Sequence, residues 1–204
     1  MTKSKKPKLE TREIYKALSL VIAETMSAEQ IWRYLISPQT HQDYETQLGI
    51  YIPFFNGVRQ STFVTTVLGL AKFSDSQNNA LNAKTLLDAL GANDAADTKE
   101  IERLNERYSD CAETWKKIMK IRHNVFAHTS ASVKEDEAFA MVSITPNEIS
   151  AAVEIAREIL VGAGNFLDGP APELTFDQKS TERDISKLFK NLKAGREARL
   201  NANA

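Results

Sequence analysis

The chain has 204 residues, 42% of them apolar and 26% charged, which suits one sizeable soluble domain and is too apolar for a disordered protein. Its longest apolar stretch, around 62–73, is too short and interrupted to span a bilayer, and the basic start MTKSKKPK is not followed by the apolar run of a secretory signal. The lone cysteine, Cys111, allows neither an intrachain disulfide nor a thiolate metal cluster, so a reducing cytoplasmic setting and no membrane partner are expected.

The net charge of −1 is unevenly spread. Residues 1–10 hold four Lys against one Glu and residues 179–204 hold seven basic against three acidic side chains, leaving an acidic body between basic ends. Such ends suit nucleic-acid contact or simple solvation.

In chain order, Ile14, Leu18, Val21, Ile22 and Met26 repeat at helical spacing. The SAEQ stretch at 27–30 has capping-box form and predicts a second, short helix ending before Ser37-Pro38. A long helical segment follows over 40–73, with a kink or break expected near Pro53 and its apolar second half placed centrally. A loop, SDSQNN, leads to a short helix with Asn82 as its N-cap and Gly91 as its terminator.

Asp97 and Glu100 predict another capped start, from which one helix continues to about His128. Ile101, Leu104, Tyr108, Cys111, Trp115, Ile118, Arg122 and Val125 recur at steps of three and four, forming its buried seam. Residues 129–144 are polar and then apolar, and are read as irregular or a short extended piece. TPNE at 145–148, with Pro146 at the first helical position, starts a helix to about Phe166 that buries Ile149, Val153, Ala156 and Leu160. DGPAPE reads as a linker, and 181–200 as a last helix with Ile185, Leu188, Phe189 and Leu192 on one side. The sum is an all-α antiparallel bundle over 10–168, a basic tail over 1–9 expected to be disordered, and a linker plus basic C-terminal helix or tail over 169–204.

At about 100° per residue, Arg122 and His128 fall on either side of Val125 within an arc of about 120°, and about 9 Å apart along the axis. A buried guanidinium must meet an anion or face water. One outcome is a carboxylate from another helix for Arg122 and a backbone carbonyl for His128. The other is an anion site equipped for proton transfer, with a phosphodiester as its natural occupant.

The stretch RHNVFAH resembles the signature of HEPN domains: an Arg, a polar residue directly after it (here His123, then Asn124) and a His after a gap of four to six residues. The motif stands at the end of a long helix late in the bundle, as in that family. FAH followed by a small polar residue, and the upstream VLGLAKFSDSQNNALNAKTLLDAL, a helix ending in an Asp-containing loop before a short Leu-rich helix, are similar to the abortive-infection, AbiU-like group.

The resemblance implies a metal-independent endoribonuclease that needs no cofactor. Arg122 would bind the scissile phosphate and His128 would handle protons, with His123 and Asn124 in support. It further implies an RNA substrate, a homodimer whose two motifs share one groove, and an antitoxin or regulatory partner. HEPN toxins paired with a nucleotidyltransferase often carry His-x-Tyr, whereas Ser130 stands two after His128 here, so silencing by tyrosine modification is not expected. A non-catalytic HEPN module that binds nucleotide or RNA, or serves as an interaction module, is the alternative, and a plain helical adaptor a further one. Lys187, Lys190, Lys193, Arg196 and Arg199 could follow an RNA backbone or belong to a solvated end.

Overall fold

The structure, a computed structural model, describes residues 10–77, 81–92, 97–123, 140, 142–167, 169–175 and 180–202. Among these it is all helical, with eight α-helices and no strand.

Helix α1, Thr11–Ile36, is one unbroken rod. The short second helix expected from SAEQ is not formed. Ser27 is exposed on the rod's surface, and no Pro or Gly interrupts 11–36, so a capping-box pattern alone starts nothing there. The rod stops at Ser37, where Pro38 forces an extended backbone (ψ 130°). Helices α2, Pro38–Ile50, and α3, Ile52–Ser74, are separated at Tyr51, next to the expected break at Pro53.

Helix α3 lies antiparallel to α1 and is central: Phe63, Val67, Leu70, Ala71 and Phe73 are fully buried, and Trp32 of α1 meets Phe63 at a ring separation of 5.5 Å. Helix α4, Ala83–Gly91, is capped as expected, Asn82 accepting from the Thr85 N–H at 2.7 Å.

The predicted continuous seam helix is two helices, α5, Thr98–Asp110, and α6, Ala112–Ile121. Cys111 leaves the helical region between them (φ −94°, ψ 8°), and in that turn the Trp115 indole N–H reaches back to the Tyr108 carbonyl at 3.0 Å. The seam survives the break, since Ile101, Leu104, Cys111, Trp115 and Ile118 are all buried. Glu100 does not close a capping box. It binds Arg103 instead, and Asp97 alone caps, accepting from Lys99 N–H.

Helix α7, Pro146–Gly164, begins on the full reciprocal box of Thr145 and Glu148 and buries Ile149, Val153, Ala156 and Leu160, as read from sequence. A 3-10 turn, Pro172–Leu174, and helix α8, Ser180–Ala202, complete the chain. Leu174 is fully buried in the main core. Phe189 is fully buried in a second cluster with Leu35, Tyr44 and Phe55, stacked on Phe55 at 4.9 Å. The C-terminal segment is therefore packed onto α1, α2 and α3. The N-terminal tail, 1–9, and most of 129–144 lie outside the described residues.

Candidate functional site

Arg122 closes α6, and the backbone opens there into a wide turn through His123. Its Nη1 donates to Asp75 Oδ2 at 3.1 Å. The side chain of Arg122 is 38% exposed and that of Asp75 only 13%, so the pair sits at the rim, with its acid inward and its cation outward. Among the described residues this is the one hydrogen bond of the guanidinium, which has five N–H donors to place.

Asp75 is the residue at which α3 ends, and its two oxygens are divided. Oδ1 accepts from the Gln77 backbone N–H at 3.0 Å, while Oδ2 takes Arg122. The loop that carries it is held at two further points. The buried Asn82 side chain donates to the Gln77 carbonyl at 3.2 Å, and the Tyr108 hydroxyl donates to the Ser74 carbonyl at 3.2 Å. Phe73, Tyr108 and Trp115 pack beneath it, with Tyr108 and Trp115 stacked at 5.9 Å. Burial first, then the neighbouring charge of Asp75, holds the Tyr108 phenol above its ordinary pKa, so it stays a neutral donor to Ser74.

Of the two outcomes expected for the cation on the burial seam, the structure shows a carboxylate, at the end of another helix, for Arg122. On the seam, the Tyr108 hydroxyl fixes the end of α3 at the Ser74 carbonyl, and the next residue, Asp75, receives the guanidinium. The sequence alone places Asp75 in a loop and marks no role for it. Its partner lies 47 residues away, beyond any local pattern.

Of the other expected site residues, His123 is exposed beside Arg122, whereas Asn124, Val125 and His128 lie outside the described residues. The basic side chains of α8 do not line one stripe. Residues three apart step back by about 60°, so Lys187, Lys190, Lys193, Arg196 and Arg199 wind around most of the helix. Lys187 pairs with Asp184 at 3.3 Å, Arg199 Nε donates to the Gly195 carbonyl, and Arg196 is half-buried.

A cleft of about 440 Å³ lies elsewhere, between α1, α2 and α8, lined in part by Glu29, Arg33, Tyr34, Thr40, Asp43 and Glu182. Three carboxylates against one guanidinium make it a poor seat for a phosphate, so volume does not select the site. Among the described residues no group of three or more His, Cys, Asp or Glu is placed to hold a metal ion, and no helix is long and apolar enough to cross a membrane.

The order of helices, with Asp75 in the loop before α4 and Arg122 at the end of α6, matches the pattern on which the resemblance rested. The chain matches the HEPN family described as AbiU2 over residues 8–188. It belongs to that family. No curated protein and no solved structure matches it. The match to this abortive-infection HEPN family runs past residue 168 into α8, in keeping with Leu174 and Phe189 being part of the packed body.

Proposed function

We propose that this HEPN domain is an endoribonuclease acting in phage defence or as a toxin, with Arg122 and His128 as its catalytic pair and a homodimer as its working form. The observation that carries the reading is the outward-facing guanidinium of Arg122, anchored among the described residues by one nitrogen at the bundle rim and 38% exposed. An arginine so held can meet a phosphodiester with its remaining donors.

In the proposed reaction His128 accepts the proton of the RNA 2′-OH, and the 2′-oxygen bonds to the adjacent phosphorus. The bond from phosphorus to the 5′-oxygen breaks, and that oxygen takes a proton from a second acid. The products are a 2′,3′-cyclic phosphate and a 5′-OH. Arg122 offsets charge growing on the non-bridging oxygens. Imidazole, with an ordinary pKa of about 6.5, suits both proton steps near neutrality. Two such groups are needed, and a C2 dimer supplies the second His128. The nucleophile is the RNA's own hydroxyl, so the chemistry requires no metal.

The test is cleavage of single-stranded RNA in EDTA by the wild type, Arg122→Ala and His128→Ala, with analysis of product ends. Cleavage that persists in EDTA, gives cyclic phosphate ends and is lost in both variants is expected. Activity equal in all three proteins sinks the reading.

The Asp75–Arg122 pair also favours a second reading, a non-catalytic HEPN module in which the arginine is a strut between α3 and α6. Wild-type protein that binds RNA or nucleotide but leaves RNA intact would select it.

A further inference from the structure

We infer that Asp75 is a positioning residue for Arg122, orienting the guanidinium that receives the scissile phosphate while weakening the resting affinity for that phosphate. The inference rests on the ribonuclease reading above. Four observations carry it. The carboxylate is the more buried partner, at 13% against 38%, so the acid is fixed by the fold and the arginine is fixed by the acid. Its Oδ1 is occupied by the Gln77 N–H, leaving Oδ2 for Arg122. Gln77 is in turn held by Asn82, the N-cap of α4, through the 3.2 Å bond to its carbonyl. On the other side Tyr108 of α5 grips the Ser74 carbonyl at 3.2 Å. Three helices thus converge to fix one oxygen.

A guanidinium held through Nη1 has the position of that nitrogen defined, and arginine loses rotamers on being so ordered. Part of that ordering is then made before substrate arrives, which lowers the reorganisation cost of an electrostatic stabiliser acting on the transition state. The same carboxylate places a negative charge near the phosphate. It therefore opposes ground-state binding while serving the chemical step, and the two effects have opposite signs in the measurable constants.

Asp75→Asn separates them. The amide oxygen still accepts from Gln77, so the loop keeps its bond, but an NH₂ then faces the guanidinium and the two donors repel. The expected result is a drop in kcat on the order of 10- to 100-fold, with native Tm nearly retained. Affinity for a 2′-deoxy single-stranded oligonucleotide, which cannot react, should become tighter. In an Arg122→Lys background the further loss on Asp75→Asn should shrink to within about twofold, because both changes disable one unit.

If wild type and Arg122→Ala do not differ in cleavage, the ribonuclease reading itself has failed. If they differ and Asp75→Asn keeps wild-type kcat, the positioning role is overturned while the nuclease stands. A role that is only structural is shown by oligonucleotide affinity, kcat and Tm falling together, or by an undiminished loss in the Arg122→Lys background, and either outcome also overturns the inference.

Discussion

Gly69 of α3 faces Thr25 of α1 so closely that a Cβ added at residue 69 would stand 1.9 Å from Thr25 Oγ1 and 3.2 Å from its Cβ. Thr25 cannot turn away at low cost, because its hydroxyl donates to the Val21 carbonyl at 2.7 Å and the residue is 1% exposed. Glycine inside a helix ordinarily costs up to about 1 kcal/mol against alanine. Overpacking a fixed contact costs about 1–3 kcal/mol, so the clash wins. Gly69→Ala should lower stability by about 1–2 kcal/mol in urea unfolding. In a Thr25→Ala background the same change should lose most of its penalty. A Gly69→Ala protein more stable than wild type would mean that the two central helices are not this close.

The C-terminal helix offers neighbours with opposite expectations. Phe189 is fully buried among Tyr34, Tyr44 and Phe55, with ring separations of 5.9, 4.8 and 4.9 Å, while Leu188 beside it is 46% exposed. Phe189→Ala should cost about 3 kcal/mol, which in a protein of this size lowers Tm by roughly 8 °C. Leu188→Ala should stay within about 0.5 kcal/mol. Thermal melts of the two variants are the measurement, and equal, negligible shifts would mean that α8 is a loose appendage.

Which features the sequence disclosed depends on the range over which each is determined. The N-caps at Asn82 and Thr145 are contacts across three residues, so the residue types alone suffice. SAEQ carries the same local signal but starts no helix, because a Ser and a Gln three residues apart also occur on exposed helix surfaces and nothing nearby breaks α1. The seam was readable as a period of three and four, but its break at Cys111 was not, since it involves Trp115 reaching back seven residues to Tyr108. Arg122 stands out in the sequence because a cation on a buried face is conspicuous. Asp75 does not, since an acid in a polar loop is ordinary until the fold brings it to its partner. Phe189 was assigned to the correct helical face, yet no local pattern could say that this face docks on α1, α2 and α3.

Ser143 has a left-handed backbone, φ 50°, between the buried Val142 and Ile144. Its carbonyl accepts from Lys117 Nζ at 2.9 Å, and the same ammonium reaches Glu148 at 2.6 Å, so the conformation is locked where the chain enters α7. For an L-residue that region costs about 1–2 kcal/mol, which glycine avoids at the expense of greater freedom when unfolded. Ser143→Gly should therefore be neutral or stabilising by about 0.5 kcal/mol, and Ser143→Val, β-branched and ill suited to positive φ, should cost about 2 kcal/mol. Chemical denaturation of both variants reads the difference. A harmless valine would show that the turn relaxes freely.

Two glutamates should give the stability–pH curve slopes of opposite sign. Burial pushes the Glu29 carboxyl above its ordinary value, against the lowering effects of the Ser150 hydroxyl and Arg33. The folded state then holds this proton more tightly than the unfolded one, so stability falls as pH rises through the raised pKa. Glu148 is the reverse: hydrogen bonds from Lys117 and then Thr145 hold it below its ordinary value, and its contribution is present at neutral pH and lost as pH falls through that lowered pKa. Glu29→Gln should accordingly be as stable as wild type near pH 4 and more stable near pH 7, since the amide needs no ionisation in its partly buried seat. Glu148→Gln should lose about 1 kcal/mol near pH 7, much of it from the weakened cap of α7, because the ion pair is a third exposed and screened. That deficit should narrow towards acid. Melting both variants beside the wild type at about pH 4, 5, 6 and 7 resolves the two slopes. Parallel curves for Glu29→Gln and wild type would show that residue 29 is solvated as an ordinary surface carboxylate.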